Sequence, residues 1–381
     1  MADEPPITIP FNRASLAGRE MELIHKAVHD GHLAGNGELT KTAEKQLATL
    51  VGGGRSLLTT SGTHALELAA RTLRLQPGDE VIVPAYTFVS TASAFALTGA
   101  TLRFVDVDPL TLNLDPEVAS AAVNDRTRAI CTVHYAGIGN RVDEVAQLCE
   151  HQGISLIEDN AHGLGGSYRG QPLGSFGRMS ILSFHETKNI TCGEGGALVL
   201  NKSADESVAE ILREKGTDRA KFLRGQVDKY TWVDIGSSWT PSEILAGFLV
   251  AQLEQFDEIQ RRRKAIWTTY ERELSQWAQN AGVRTPHVPD EADHPAHMYY
   301  LQFPSLSDRS RFIKHMRQAG ILTVFHYQAL NTSAVGRSLG GREGQCPVTE
   351  NAADTLVRLP LFSGMTASEL EAVIDATSSF R

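Results

Sequence analysis

The sequence predicts an α/β protein in which a large domain, built on a mostly parallel sheet, precedes a small C-terminal α+β domain. Two observations carry this. From about Ser56 onward, short β-branched runs alternate with helical patterns, as in a parallel sheet covered by helices on both faces. After a helical stretch at 240–279 and the Pro- and Asp-rich connector AGVRTPHVPDEADHP, the order becomes strand–helix–strand–helix. A length of 381 residues is enough for such a pair of domains, at about 150 residues per domain.

The elements follow in order. The strand runs are SLLTT (56–60), EVIVP (80–84), TLRFVDV (101–107), RAICTVHY (128–135) and ISLIED (154–159). Between them, Thr63–Arg74, Tyr86–Leu97, Asp115–Val123 and Asp143–His151 read as helices. MSILSF (179–184) and ALVLN (197–201) lie close together and predict an antiparallel pair among the later strands. The stretch 240–279 has helical periodicity and predicts one long helix or two in series, with RRRK as a solvated face. The C-terminal elements are AHMYYLQF, RSRFIKHMRQAG, ILTVFHY and a last helix from Ala367. The expected organisation is a large domain with an N-terminal arm at 1–240, a connecting helix at 241–280 and a small domain at 281–381.

Composition narrows the class of function. Lys plus Arg number 36 against 45 Asp plus Glu, a net charge of −9, which argues against binding nucleic acid by neutralising phosphates. Hydrophobic residues make up 41% and charged ones 21%, ordinary for a globular protein. The four cysteines, at 131, 149, 192 and 346, form neither a zinc pattern nor a disulfide framework, so no metal and a cytoplasmic location are expected. The start, MADEPPITIPFNR, is acidic and Pro-rich, the reverse of a signal peptide. No apolar stretch approaches the roughly 20 residues that span a bilayer.

Open parallel sheets bind ligands at the carboxyl ends of their strands, and the chemically suggestive residues fall there. TTSGTHAL (59–66) closes a strand and opens a helix. Gly62 lets backbone approach a ligand, and the N–H groups of Thr63 and His64 form an anion site suited to phosphate. A serine N-cap with a turn glycine accounts for the same residues. No Walker A loop is present, and GGGR (52–55) caps the preceding helix. Asp159 ends an apolar strand, so its carboxylate needs a partner: a protonated pyridine nitrogen, an arginine or a helix N-terminus. His162 shares that loop, where an exposed histidine is the alternative. Lys188 follows MSILSF and is an imine-former if desolvation or nearby cations lower its pKa, and a surface charge otherwise. The GEGG at 193–196 brings flexible backbone beside it, or a plain turn. Phe88 offers an aromatic face for a planar ring, or core packing.

In chain order, a phosphate turn, an aromatic, a strand-terminal Asp and a strand-terminal Lys match the phosphate, ring face, ring nitrogen and aldehyde of pyridoxal phosphate. With TSGTHAL, YTFVSTASA, VHYAG (133–137), EDNAHG (158–163) and SFHETKN (183–189), the chain resembles the fold-type I, pyridoxal-phosphate-dependent sugar aminotransferases of the DegT/DnrJ/StrS family. The resemblance runs from IPFNR (9–13) to RLPLF (358–362). FHETKN, REKGTDR, RGQVDKYTW, DIGSS and VFHY are similar to the WecE-like branch, 4-aminotransferases acting on dTDP-4-keto-6-deoxyglucose.

The resemblance implies roles. Lys188 would bond to the cofactor aldehyde and carry the proton between substrate and cofactor. Asp159 would pair with the ring nitrogen, His162 (often Gln in relatives) with the phenolate oxygen, and Phe88 with the ring face. Gly62, Thr63 and Ser183 would hold the phosphate. Ser238, where many relatives deliver an Asn from the partner subunit, would be a shorter phosphate contact. Asn331 stands where many relatives have His.

The implied reaction has two halves. L-Glutamate gives its amino group, leaving the pyridoxamine phosphate form and 2-oxoglutarate. C4 of dTDP-4-keto-6-deoxy-D-glucose then receives the amine, giving a dTDP-4-amino-4,6-dideoxyhexose. The rivals are a C3-specific enzyme, another nucleotide-ketosugar aminotransferase, or a non-catalytic regulator on the same scaffold. Lys221, Arg224 and Lys229 are candidate cations for the sugar nucleotide, or an exposed charged loop. His326 and Tyr327 end a small-domain strand and face the sugar or pack internally. The family implies a homodimer with shared active sites, and neither membrane nor nucleic acid is expected as a partner.

Overall fold

In the computed structural model of the protein, which describes residues 6–381, an N-terminal arm leads into two helices, α1 (Glu20–His29) and α2 (Glu38–Leu50). The first five residues of the acidic start lie outside the described residues. The alternating region follows as β1 (Arg55–Thr59), α3 (Gly62–Thr72), β2 (Glu80–Pro84), α4 (Val89–Ala96), β3 (Thr101–Val105), α5 (Pro116–Ala122), β4 (Thr127–Val133), α6 (Val142–Gln152) and β5 (Ser155–Asp159). Two short strands, β6 (Ser167–Tyr168) and β7 (Gln171–Pro172), precede β8 (Met179–Ser183) and β9 (Gly196–Leu200). Then come α7 (Glu206–Arg213), α8 (Arg219–Leu223), α9 (Glu243–Glu254) and α10 (Phe256–Ala281). The C-terminal part comprises β10 (Ala292–Asp293), β11 (Tyr299–Gln302), α11 (Leu306–Gln318), β12 (Val324–Phe325), α12 (Ala334–Ser338), α13 (Pro347–Thr355), β13 (Leu356–Leu359) and α14 (Ala367–Ser378).

Seven strands form the main sheet in the order β1-β9-β8-β5-β4-β2-β3. β9 runs antiparallel to both β1 and β8, and the other pairs are parallel. The antiparallel pair expected from MSILSF and ALVLN is therefore present, and β9 also separates β1 from its parallel neighbours. Both faces are buried: one under α3, α4 and α7, the other under α2 and α9. That double burial is why the strands read as unbroken apolar runs.

Local chemistry sets the element ends. Ser61 caps α3 by accepting the His64 N–H at 3.1 Å, and Asp115 caps α5 ahead of Pro116 in its first turn. The Gly53 N–H bonds Ala48 O, so GGGR does close α2. The helix expected from Tyr86 begins instead at Val89: Tyr86 is fully buried, and Thr87 and Phe88 line a cavity past the end of β2. The 240–279 stretch is two helices in series, broken at Gln255.

The C-terminal strands form a second sheet, β11-β13-β12, packed with α10, α11 and α14 around Tyr270, Phe312 and Val357. Ile9 of the N-terminal arm bridges to Ile321 beside this sheet. Among the described residues no helix is long and apolar enough to cross a membrane.

Candidate active site

β1, β2, β5 and β8 point the same way, so Thr59, Pro84, Asp159 and Ser183 end at one edge of the sheet. Over that edge lies a cavity of about 500 Å³, closed by β12 and β13 of the C-terminal sheet. Gly62, Thr63, Phe88, Asp159, His162, Ser183, Lys188, His326 and Tyr327 all line it. Residues from separate loops meet because the sheet delivers each loop to the same end.

At the N-terminus of α3 the backbone is crowded by design of its neighbours. A Cβ on Gly62 would come within 2.9 Å of Ser183 Cβ, and one on Gly196 within 2.4 Å of the Ser61 carbonyl. Both glycines let β8, β9 and the helix start approach closely. The Ser61 hydroxyl takes the His64 N–H, so that one of the two N–H groups expected to face an anion is used by the cap, and of this turn Ser61, Gly62 and Thr63 line the cavity. The Thr63 hydroxyl is fixed to Ser90 Oγ at 2.7 Å.

Asp159 is buried, with Oδ2 accepting the Thr91 hydroxyl at 2.7 Å and Oδ1 the Ala161 N–H at 3.2 Å. Lys188 is half-buried in the same cavity. Burial lowers its amine to about 8, against the opposing pull of Asp159 and with a further push from Arg358. At pH 7 such a lysine is neutral in about a tenth of molecules, against well under a thousandth for an ordinary one, and the neutral amine is the state a nucleophile and proton carrier needs.

The buried His162 stacks on His297, with ring centroids 4.2 Å apart. His297 is oriented by Asn189 Oδ1 at 2.9 Å, and Arg263 donates to the carbonyls of Ala296 and His297. Burial, then the charges of Lys188 and Arg358, hold His162 well below the ordinary histidine range, so it is neutral. Its Nε2 lies 3.3 Å from the Tyr327 hydroxyl, while its Nδ1 is buried with no partner. Phe88 is 54% exposed at the rim, 5.9 Å from Tyr327 between centroids. His326 packs inward, its Nδ1 3.0 Å from Tyr135 Oη.

The structure leaves four expected contacts outside this cavity. Ser238 is exposed and bridges to Glu214. Lys221, Arg224 and Lys229 sit on the segment around α8, where Arg224 is paired to Glu210 at 2.9 Å. Conversely, sequence reasoning overlooked Thr91, His297 and Arg358, all tied to the site. Thr91 lies within YTFVSTASA and Arg358 opens RLPLF, so both were inside quoted motifs, whereas nothing in the sequence around His297 signals a ligand.

These residues fit pyridoxal phosphate. A glycine-lined helix start suits its phosphate, a fixed carboxylate its ring nitrogen, an orphan imidazole nitrogen a polar ring substituent, and a depressed lysine its aldehyde. The cysteines offer no competing nucleophile: burial pushes Cys149, Cys192 and Cys346 up to about 12 and raises Cys131 as well.

Comparison with known proteins agrees. The sequence model of the DegT/DnrJ/EryC1/StrS aminotransferase family matches residues 15–378. Among solved structures, aminotransferase TlmJ from Streptoalloteichus hindustanus superposes with a TM-score of 0.88 at 28% identity, covering 98% of both chains. The sugar aminotransferase CalS13 from Micromonospora echinospora gives 0.87 at 26% identity, over 98% of this chain and 100% of that one. Spr1654 from Streptococcus pneumoniae, in its PLP form, gives 0.89 at 26% identity over 98% of each chain. The same protein is also known in a PMP form.

Proposed function

This chain belongs to the DegT/DnrJ/EryC1/StrS aminotransferase family, and from that premise we propose that it moves an amino group from L-glutamate to C4 of dTDP-4-keto-6-deoxy-D-glucose. It is a pyridoxal-phosphate-dependent sugar aminotransferase with the fold-type I architecture. The observation that carries the chemistry is one cavity holding a pKa-depressed Lys188 beside Asp159 and a glycine-lined helix start. The C4 position and the dTDP sugar rest on the similarity of FHETKN, REKGTDR and RGQVDKYTW to the WecE-like branch.

The bound cofactor supplies an aldehyde and an electron-withdrawing ring that makes a substrate α-proton acidic. The protein does the rest. Thr91 and the Ala161 N–H fix Asp159, whose carboxylate would pair with the ring nitrogen without reorganising. His162, stacked and neutral, would offer a ring nitrogen to the phenolate oxygen. Gly62, Thr63 and Ser183 receive the phosphate, and Phe88 shields the ring. Lys188 Nζ takes the proton from the α-carbon of the donor and returns one in the second half. Tyr327 would border the sugar side, with His326 packed behind it against Tyr135.

A homodimer is part of this reading. Trp232, Ile235 and Leu223 are 73%, 67% and 64% exposed on the segment leading to Ser238, an apolar surface that a second copy would cover. On that reading Ser238 and the cations Lys221, Arg224 and Lys229 serve the partner's cavity. The four free, buried cysteines suit the cytoplasm.

The deciding experiment is incubation with dTDP-4-keto-6-deoxyglucose and L-glutamate, followed by NMR of the sugar. Amination at C4 is expected, and amination at C3 or no product refutes the assignment. Lys188→Ala should fold yet not turn over.

A further inference from the structure

We propose that His297 is a positioning residue for His162, acting on the cofactor through the stacked ring and not by touching it. The inference rests on the reading of this cavity as a pyridoxal phosphate site in which His162 meets the phenolate oxygen. Both imidazoles are buried and line the cavity. Their planes are 17° from parallel with centroids 4.2 Å apart, a face-to-face contact that limits how His162 can turn.

A run of side-chain hydrogen bonds fixes His297 in turn. Asn189, next to Lys188 in the chain, donates its amide to the Pro295 carbonyl at 2.6 Å and to Gln260 Oε1 at 3.2 Å. Gln260, on α10, donates its own amide to the Leu164 carbonyl at 3.1 Å. A backbone carbonyl only accepts, so each amide has one possible orientation. Asn189 Oδ1 is thereby the acceptor toward His297 Nδ1 at 2.9 Å, and the proton of the neutral ring sits on Nδ1. Arg263, one turn along α10 from Gln260, holds the Ala296 and His297 carbonyls. Leu164 lies two residues past His162 in the same loop. The relay therefore starts on the loop that carries His162 and ends against its ring.

The surroundings keep both rings neutral. Burial first, then His162 and the cations Lys188, Arg263 and Arg358, hold His297 well below the ordinary histidine range, as burial, Lys188 and Arg358 do His162. On its other side His162 Nε2 meets the Tyr327 hydroxyl at 3.3 Å, and the buried His326 ring lies 6.0 Å away between centroids. The unpartnered Nδ1 is then the nitrogen left for a ligand. Contact to a phenolate requires Nδ1 to carry the proton, with the Tyr327 hydroxyl donating to Nε2. A ring free to swing would spread that bond over many orientations, and holding it still is what His297 adds.

The test reads the holoenzyme by the pH midpoint of its bound cofactor's visible absorbance, which reports the phenolate's surroundings without turnover. A donor to the phenolate favours the deprotonated form, so H162A should move the midpoint upward, by about one pH unit. H297A should move it the same way by about half a unit or more, and H297F, which keeps a ring face but loses the relay, by less. The decisive variant is H162A/H297A: if His297 acts through His162, the second substitution adds nothing to the first. Additive shifts, or an H297A midpoint equal to that of the wild type, overturn the proposal. An unmoved midpoint in H162A refutes instead the reading of His162 as the phenolate contact, and the positioning role falls with it. Nitrogen-15 NMR of the histidine-labelled, cofactor-free protein gives a readout that needs no cofactor. The signal absent from H297F should report a neutral ring protonated on Nδ1, and protonation on Nε2 overturns the relay and the proposal built on it. If H297A does not fold, H297F takes its place in the cycle, and an unmoved midpoint there overturns the proposal.

Discussion

At the scale of single residues, the depressed Lys188 amine makes a signed prediction. Its pKa falls from 10.5 to about 8, so below about 8 it is protonated and above it nucleophilic. Capture of pyridoxal phosphate by the cofactor-free protein should speed up through a midpoint near 8 in stopped-flow absorbance. Between about 8 and 10.5 the unfolded chain holds the proton that the folded one has released, so stability rises with pH there. Lys188→Met in the cofactor-free protein should therefore raise Tm at pH 7, with the gain fading toward pH 10.5. Asp159→Asn should cost on the order of 100-fold in turnover with the fold intact by circular dichroism. Lys188 and Asp159 were legible because Asp159 ends, and Lys188 shortly follows, a largely apolar strand. Arg358 was not, since one arginine inside a four-residue strand has no period to betray which face it takes.

Secondary-structure elements show where backbone contacts, invisible in a sequence, decide the site. GEGG read as flexible backbone or a turn, yet Gly196 is the point where β9 passes against the start of α3. Gly196→Ala should push that helix start away from Ser183, cost about 1–3 kcal/mol in urea denaturation and weaken cofactor affinity by at least tenfold in titration. Glu243 at the start of α9 is another such joint. Its carboxylate accepts the N–H groups of Gly37, Leu39 and Thr40 and the Thr40 hydroxyl, tying α9 to the first turn of α2. Glu243→Ala should lower stability by about 2–3 kcal/mol, because it strands several buried donors at once. The strands of the main sheet were readable to within a residue or two, since burial on both faces leaves little but apolar side chains. The start of α4 was not, because Thr87 and Phe88 serve the cavity instead of the helix.

The whole molecule depends on joints between distant segments. Arg263, deep in α10, holds the Ala296 and His297 carbonyls at the entrance to the C-terminal sheet, and burial lowers its pKa to about 9. Arg263→Ala should loosen His297 under His162 and cost about 2–4 kcal/mol. β1 has a single strand partner, β9, with Arg55 opposite Leu200, and α1 and α2 rest on α9, which ends at Glu254. On a ribosome these opening elements emerge long before the surfaces that receive them. At roughly 5–20 residues per second, α1, α2 and β1 wait on the order of ten seconds or more for α9 with their apolar faces uncovered. Heterologous yield should thus respond to elongation rate and chaperone supply, and a chain cut before α9 should not accumulate as a folded species.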